Sequence, residues 1–513
     1  MPNLGPTVLE QGRRRAGNRG VRWQRRERGS AAPRRALGAG ALAVLCLVVL
    51  LPGCRGKSST RLALEGCTVD GVSARCGTLM VPEDRSGGDD RQLPVRVVVF
   101  PAAGSARQPD PVVWFAGGPG DSAVDTISRV RPLLAPNTSR DLVFIEQRGT
   151  GASAMTCPAF PDGSDPAALG SAVQSCVDSL DGDPRFYTTS MFADDVDEVL
   201  AELHYPQANL VGISYGTTAE QVFLARHPNR VRTMTLLIGT LLDFPVLERF
   251  PESAQRPLDN VFAECETNAA CQQAFPQLRA DWDALWRSVN AAPWVVPADR
   301  SPDGTKVVFD ANRIASGLHD LLFVATTHTR IPLIVHTLGA ADDKVAAILA
   351  IAQAYPDITG TGSGDEQMLG YFIRCNEGWA RYDPGQLVGT DSFEYERDRN
   401  DADWWQSVCT LIPEAGDTAA AAAPPTSDVP ILALNGEEDP QDPPANMAGA
   451  AAVWPNSLAL TVPGQGHDID PLSAGCEIPL IQSFIDQGDV TGLDTACLTQ
   501  LTPPAFDLTL PIT

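Results

Sequence analysis

Asn209-Leu-Val-Gly-Ile-Ser214-Tyr-Gly-Thr217 carries an apolar run straight into Gly-x-Ser-x-Gly, and a helix-like segment, residues 217–226, leaves it before His227-Pro228. A strand that meets a helix through this pentapeptide is a nucleophile elbow. The turn is tight, so Gly212 and Gly216 keep side chains out of it. The strained serine backbone lifts the Ser214 hydroxyl to where a substrate can reach it. A glycine-rich strand–helix turn with a spectator serine is the bland alternative, and the flanking strand and helix weigh against it.

Outward from this turn the chain alternates strands and helices. Residues 94–101 (PVRVVVFP) are a β-rich run, and residues 112–115, 142–145, 210–213, 234–238, 431–434 and 457–462 are short, largely apolar strands. Continuous apolar runs bounded by Gly, Asp and Pro suit a parallel sheet covered on both faces. The helix-like segment 192–203, with acidic residues expected in its first turn, adds to a doubly wound α/β pattern. Between residues 241 and 427 strand signals fade and helical periodicity takes over (312–324, 343–354). The low-complexity stretch AGDTAAAAAPPTS (415–427) then reads as a linker. We therefore expect core residues 67–240 and 428–513, with 241–427 forming a helical cap and linker between strands six and seven.

A serine nucleophile needs a base, and the base needs an orienting carboxylate. Of six histidines, His204 and His227 sit in or beside helices and His319, His328 and His336 lie in the insertion. His467 stands in a glycine-rich loop, Pro463-Gly-Gln-Gly-His-Asp, just after the last strand. After the penultimate strand, Ile431-Leu-Ala-Leu-Asn-Gly-Glu-Glu-Asp439-Pro-Gln-Asp442 offers four acids. Gly436 can turn the chain so that Asp439 points inward; Asp442 is second, and Glu437 and Glu438 read as solvated. Ser214, Asp439, His467 follow the Ser…Asp…His chain order of α/β-hydrolases. Oxyanion donors are expected from the backbone of Tyr215 and of Gly117 and Gly118 in Ala116-Gly-Gly-Pro-Gly120. A phosphate loop is excluded there because the Lys-Ser/Thr of that motif is missing.

These stretches together, FAGGPGDSA (115–123), DLVFIEQRGTGAS (141–153), NLVGISYGT (209–217), ILALNGEEDPQDPP (431–444) and VPGQGHDID (462–470), resemble the bacterial tripeptidyl aminopeptidase and proline iminopeptidase group of serine peptidases. These are α/β-hydrolases with a helical cap. The resemblance spans roughly residues 65–500 and implies an exopeptidase that works through an acyl-enzyme on the free N-terminus of peptides, without a cofactor or metal. A carboxylesterase or other acyl hydrolase, and an inactive binding module, are the alternatives. Three positions depart from the group's pattern: Ala116 where proline iminopeptidases carry His, Glu146 where Asp is usual, and Ile238-Gly239 where Asp-Gly is common. An aminopeptidase must also hold an ammonium, for which a sheltered carboxylate is the natural partner. The family's use of cap carboxylates singles out Glu377 in Tyr371-Phe-Ile-Arg-Cys-Asn-Glu-Gly-Trp379, with Trp379 as a pocket wall and Glu146 as a second candidate. Glu377 reads equally well as an ordinary solvated helix residue.

Composition sets the compartment. The chain's 63 acidic residues outnumber its 39 basic ones, for a net charge of −24. Ten of the Arg lie in residues 1–53, which leaves the rest still more acidic and a poor partner for nucleic acid or anionic membranes. Residues 1–53 read as a signal peptide: a basic stretch, an apolar run at 36–51 and small residues before Cys54. Leu-Pro-Gly-Cys54 resembles a bacterial lipobox, so Cys54 is a candidate lipidation site and the anchor its only membrane contact, with 54–66 as a tether. An uncleaved transmembrane anchor is the competing reading, disfavoured by an apolar run under about 20 residues. The chain is expected in the cell envelope, or else secreted or periplasmic. Ten of the twelve Cys fall into couples, 67/76, 157/176, 265/271, 375/409 and 476/497, which reads as the disulfide framework of an exported protein. No couple has the Cys-x-x-Cys spacing or the neighbouring His of a metal site.

Overall fold

The computed structural model describes residues 61–511 apart from 89, 105, 135–138, 158–165, 302–303, 356–365 and 470. The signal and residues 54–60 of the tether, Cys54 among them, therefore lie outside the described residues. Nine strands form the main sheet: β1 (Glu65–Val69), β2 (Val72–Pro82), β3 (Gln92–Phe100), β4 (Val112–Phe115), β5 (Leu142–Ile145), β6 (Ala208–Ile213), β7 (Val231–Leu237), β8 (Ile431–Gly436) and β9 (Ser457–Val462). Their order is β1-β2-β3-β5-β4-β6-β7-β8-β9. The first three strands and β5 pair antiparallel, and everything from β5 to β9 is parallel.

The hairpin β1–β2 has no apolar run to announce it. β1 faces solvent at alternate positions, so it is an edge strand of mixed polarity rather than the tether expected up to residue 66. The tether ends earlier as well: Leu62 is buried among the core side chains, and the Arg61 amide donates to Glu202 at 2.8 Å. With β1 counted, the insertion lies between β7 and β8; a count of six and seven leaves this edge strand out.

Helices flanking the sheet include α1 (Ile127–Leu134), α2 (Thr189–Glu202), α3 (Tyr215–Arg226) and, after β9, a long C-terminal helix, Pro471–Gln487. Ile127 and Val130 of α1 pack with Leu480, Ile481 and Phe484 against one face. Phe192, Val196 and Val199 of α2 and Val222 and Phe223 of α3 cover the other. α2 starts a turn before residue 192 because the Thr188 hydroxyl caps it, accepting from the Met191 amide at 3.2 Å. Its acidic residues therefore fall beyond the first turn.

The insertion has its own core. Leu258, Val261 and Phe262 of α4 (Val246–Thr267), Leu285 and Val289 of α5 (Leu278–Ala291) and Leu318 and Leu322 of α6 (Ala311–Leu322) pack together. A short ribbon pairs Trp294–Val296 with Val307–Phe309, in a region read from sequence as poor in strand signals. The stretch read as a linker is docked rather than loose, since Ala421 belongs to the main core. The disulfides join the five couples Cys67–Cys76, Cys157–Cys176, Cys265–Cys271, Cys375–Cys409 and Cys476–Cys497. Five disulfides fit an oxidising, non-cytosolic compartment. Among the described residues no helix is long and apolar enough to cross a membrane.

Candidate active site

Ser214 ends β6 and opens α3 with φ +53° and ψ −124°, a strained conformation for a side-chain-bearing residue. Space explains the glycines around it. A Cβ on Gly216 would lie 2.3 Å from the Phe115 carbonyl oxygen, and one on Gly212 would lie 2.8 Å from the Gly216 backbone. Both contacts are impossible, so the elbow closes only with hydrogen at these positions.

His467 is brought to the serine from the loop after β9. Its Nε2 is 3.1 Å from Ser214 Oγ, and its Nδ1 is 2.9 and 3.0 Å from the two carboxylate oxygens of Asp439. Asp439 is fully buried, and its Oδ1 also accepts from the amides of Gln441 and Asp442, both at 2.8 Å. Asp442, the second choice from sequence, stands 3.8 Å from His467 Nδ1 and accepts instead from Thr240 and Asn446. Geometry therefore gives the orienting position to Asp439. Glu437 is exposed, but Glu438 is not: it is buried and accepts from Asn260 Nδ2 of α4, and desolvation pushes its carboxyl up to about 7. Reading Glu438 as solvated failed because the residue that covers it belongs to the insertion.

Burial pulls the His467 pKa down, but the charge and hydrogen bond of Asp439, with help from Asp442 and Asp468, outweigh it and push the pKa up to about 9. A general base must be neutral to accept a proton. Activity measured as kcat/KM should therefore fall as pH drops through about 9, well above the usual histidine range. Asp439→Asn removes the largest raising influence and should move that limb downward. A wild-type limb at an ordinary histidine pKa near 6.5 would contradict this electrostatic picture. The same raised pKa contributes stability that is complete below the unfolded histidine value and is lost as pH rises through the folded one.

A third element reaches the histidine from the cap, a contact no sequence motif signals. The Phe323 carbonyl, just past α6, accepts the His467 amide at 2.6 Å, and the two rings sit 4.8 Å apart. Gly466 permits this approach, since a Cβ there would lie 2.3 Å from the same carbonyl oxygen.

The expected oxyanion donors surround the serine. A Cβ on Gly117 would sit 3.6 Å from Ser214 Cβ, and Gly118 has φ +108°, which glycine adopts without cost. Tyr215 occupies the first position of α3, where a backbone N–H has no intrahelical partner and the helix dipole favours negative charge. The Tyr215 side chain turns inward, with its hydroxyl 2.7 Å from Thr189 Oγ1 and accepting from Gln147 Nε2 at 2.9 Å.

The substrate-binding candidates fare differently. Glu146 is buried and accepts from Ser122 Oγ at 2.6 Å, the Val124 amide at 3.0 Å and Thr150 Oγ1 at 2.5 Å. It ties the loop after β4 to the loop after β5 and has no free face for an ammonium. Glu377 is buried as well, neither solvated nor open: its two oxygens accept from the Thr189 amide at 2.8 Å and Thr189 Oγ1 at 2.6 Å. Burial pushes its carboxyl up to about 7. Trp379 stacks on Trp405 with centroids 5.9 Å apart and packs on Tyr382, within an aromatic cluster that includes Tyr371 and Trp404. Arg374 lies over the Trp405 ring and donates to the Gly118 carbonyl at 3.3 Å, linking the cap to the expected oxyanion loop.

Similarity to known proteins agrees with this architecture. Residues 110–277 match the model of the alpha/beta hydrolase fold, and residues 398–497 match that of TAP-like proteins. Serine protease Hip1 of Mycobacterium tuberculosis is 28% identical over 223 residues, which are 39% of this chain and 42% of that protein. The chain thus spans about two fifths of that relative's length in the match. The tripeptidyl aminopeptidase of Streptomyces coelicolor is 22% identical over 474 residues, 84% of each chain. Among solved structures, the proline iminopeptidase of Mycobacterium smegmatis aligns with a TM-score of 0.37 and 15% identity, over 80% of this chain and 99% of that one. With its mostly parallel sheet, helices on both faces and the match over residues 110–277, the chain belongs to the α/β-hydrolase fold, and its residues 398–497 are similar to TAP-like proteins.

Proposed function

We propose that the protein is a serine hydrolase, and that its substrates are peptides from whose free N-terminus it releases a short unit. The observation that carries the reading is the unbroken chain from Ser214 Oγ through the His467 imidazole to the buried Asp439 carboxylate. In this reading His467 Nε2 takes the Ser214 proton as Oγ attacks the scissile carbonyl. The oxyanion is met by the backbone amides of Tyr215 and of the Gly117-Gly118 loop. His467 then hands the proton to the leaving amine, and water repeats the sequence on the acyl-enzyme while Asp439 stays ionised. Similarity to a tripeptidyl aminopeptidase over 84% of the chain, and to a serine protease over a shorter span, supports peptides over esters.

The test is a panel of fluorogenic peptides, free or acetylated at the N-terminus, beside simple esters. Free-amine peptides should be turned over at least about tenfold more efficiently than their acetylated forms. Equal turnover of both would end the exopeptidase reading, and ester turnover alone would leave an acyl hydrolase. Export by residues 1–53 and a lipid anchor at Cys54 belong to the same proposal; the five disulfides support the export. Cys54→Ala should move the protein from the membrane fraction to the soluble one; a variant that stays with the membrane would contradict lipidation.

A further inference from the structure

Both carboxylates expected to hold the substrate's ammonium are occupied by the protein itself, which leaves that part of the proposed reaction without a partner. A third carboxylate stands beside the nucleophile. Asp121 follows the Gly-Gly-Pro-Gly loop, is exposed, and neither accepts a hydrogen bond nor joins an ion pair among the described residues. A Cβ built on Gly117 would lie 3.5 Å from Asp121 Oδ2 and 3.6 Å from Ser214 Cβ. Carboxylate and nucleophile thus flank a single point beside the expected oxyanion site.

Resting on the exopeptidase reading, we propose that Asp121 anchors the substrate's N-terminal ammonium and that the unit released is a single amino acid. Two arguments support it. The first is electrostatic. A bare carboxylate this close to a developing oxyanion opposes the charge that the site must stabilise. A substrate that brings its own ammonium cancels the opposition and turns the carboxylate into a binding group. Arg374, which reaches this loop from the cap, does not fill the role. It feels the Asp121 charge, but it donates to the Gly118 carbonyl and makes no ion pair with Asp121.

The second argument is reach. Asp121 Oδ2 and Ser214 Cβ are separated by no more than the two contact distances together, roughly two residues of extended chain. One aminoacyl group, with a hydrogen bond from its ammonium, fills that span. A tripeptidyl group extended from the same carbonyl would carry its ammonium about 10 Å away, beyond Asp121.

Wild type, Asp121→Asn and Asp121→Glu should be compared on aminoacyl-coumarin amides with free and acetylated amines, with fluorophosphonate labelling of Ser214 to show that each variant is folded. Asp121→Asn should lose about 30-fold in kcat/KM on the free amines, mainly through KM. Its activity on acetylated substrates should rise, because the carboxylate that opposed the oxyanion is gone, so the ratio of free to blocked falls toward one. Asp121→Glu should recover part of the loss. A tetrapeptide digested by wild type should yield one free amino acid as the first product. A wild-type preference for free amines that survives in Asp121→Asn would overturn the assignment of Asp121 and leave the exopeptidase reading standing. A tripeptide as the first product would overturn the single-residue unit. Wild type indifferent to acetylation would remove both this proposal and the reading under it.

Discussion

Ser214→Ala is expected to lower turnover by about 10,000-fold or more, and His467→Ala by a similar amount, because the members of such a chain act as a unit. Asp439→Asn should cost about 10,000-fold, since without the carboxylate the imidazole is held in the wrong tautomer. Asp442→Asn is the discriminating control. Asp442 is 3.8 Å from the same nitrogen, with Oδ1 accepting from Thr240 and Asn446 and Oδ2 from Gln441, so its loss should cost no more than about tenfold. Steady-state kinetics on one fluorogenic substrate, with circular dichroism to confirm folding, reads all four. Near-wild-type activity in Asp439→Asn together with a dead Asp442→Asn would show that the wrong carboxylate has been assigned.

Asp195→Ala is expected to destabilise the fold by about 3–5 kcal/mol, through a buried ion pair behind the active-site loops. Arg148, just after β5, and Asp195 of α2 are both fully buried. The guanidinium donates to both Asp195 oxygens at 2.7 Å and to the carbonyls of Glu83 and Phe186 at 3.0 and 2.8 Å. Removing Asp195 strands this cation in a dry interior. Replacing both partners with apolar residues, Arg148→Met with Asp195→Leu, should recover part of the loss because the fully buried guanidinium is gone, while Arg85, which also pairs with Asp195, keeps Glu198 at 2.9 Å. By contrast Asp197, half-exposed and paired with Arg230, should cost under about 1 kcal/mol when changed to Ala. Urea melts of the purified protein measure all three, and equal losses in Asp195→Ala and Asp197→Ala would contradict the assignment.

What the sequence made legible was what it encodes locally. The elbow lies within nine consecutive residues, and the histidine loop and the acidic run each follow a recognisable apolar strand, so Ser214, His467 and Asp439 could be named before any geometry. Side chains whose surroundings are assembled from distant segments could not. Glu146 looked available because Ser122 lies 24 positions before it, and Glu377 because Thr189 lies 188 positions away. Glu438 looked solvated because its cover, Asn260, comes from the cap. The hairpin β1–β2 escaped for another reason: an edge strand with one wet face has no apolar run to show. Phe323 packing on His467 had no signal at all, since a backbone carbonyl leaves no mark on the sequence.

The central claim is that Ser214 is an activated nucleophile, and a fluorophosphonate probe followed by peptide mapping tests it most directly. The expected result is a single labelled peptide spanning residues 209–217 with the adduct on Ser214, and labelling that slows sharply in His467→Ala. Labelling of a different residue, or none in the folded wild-type protein, would contradict the claim.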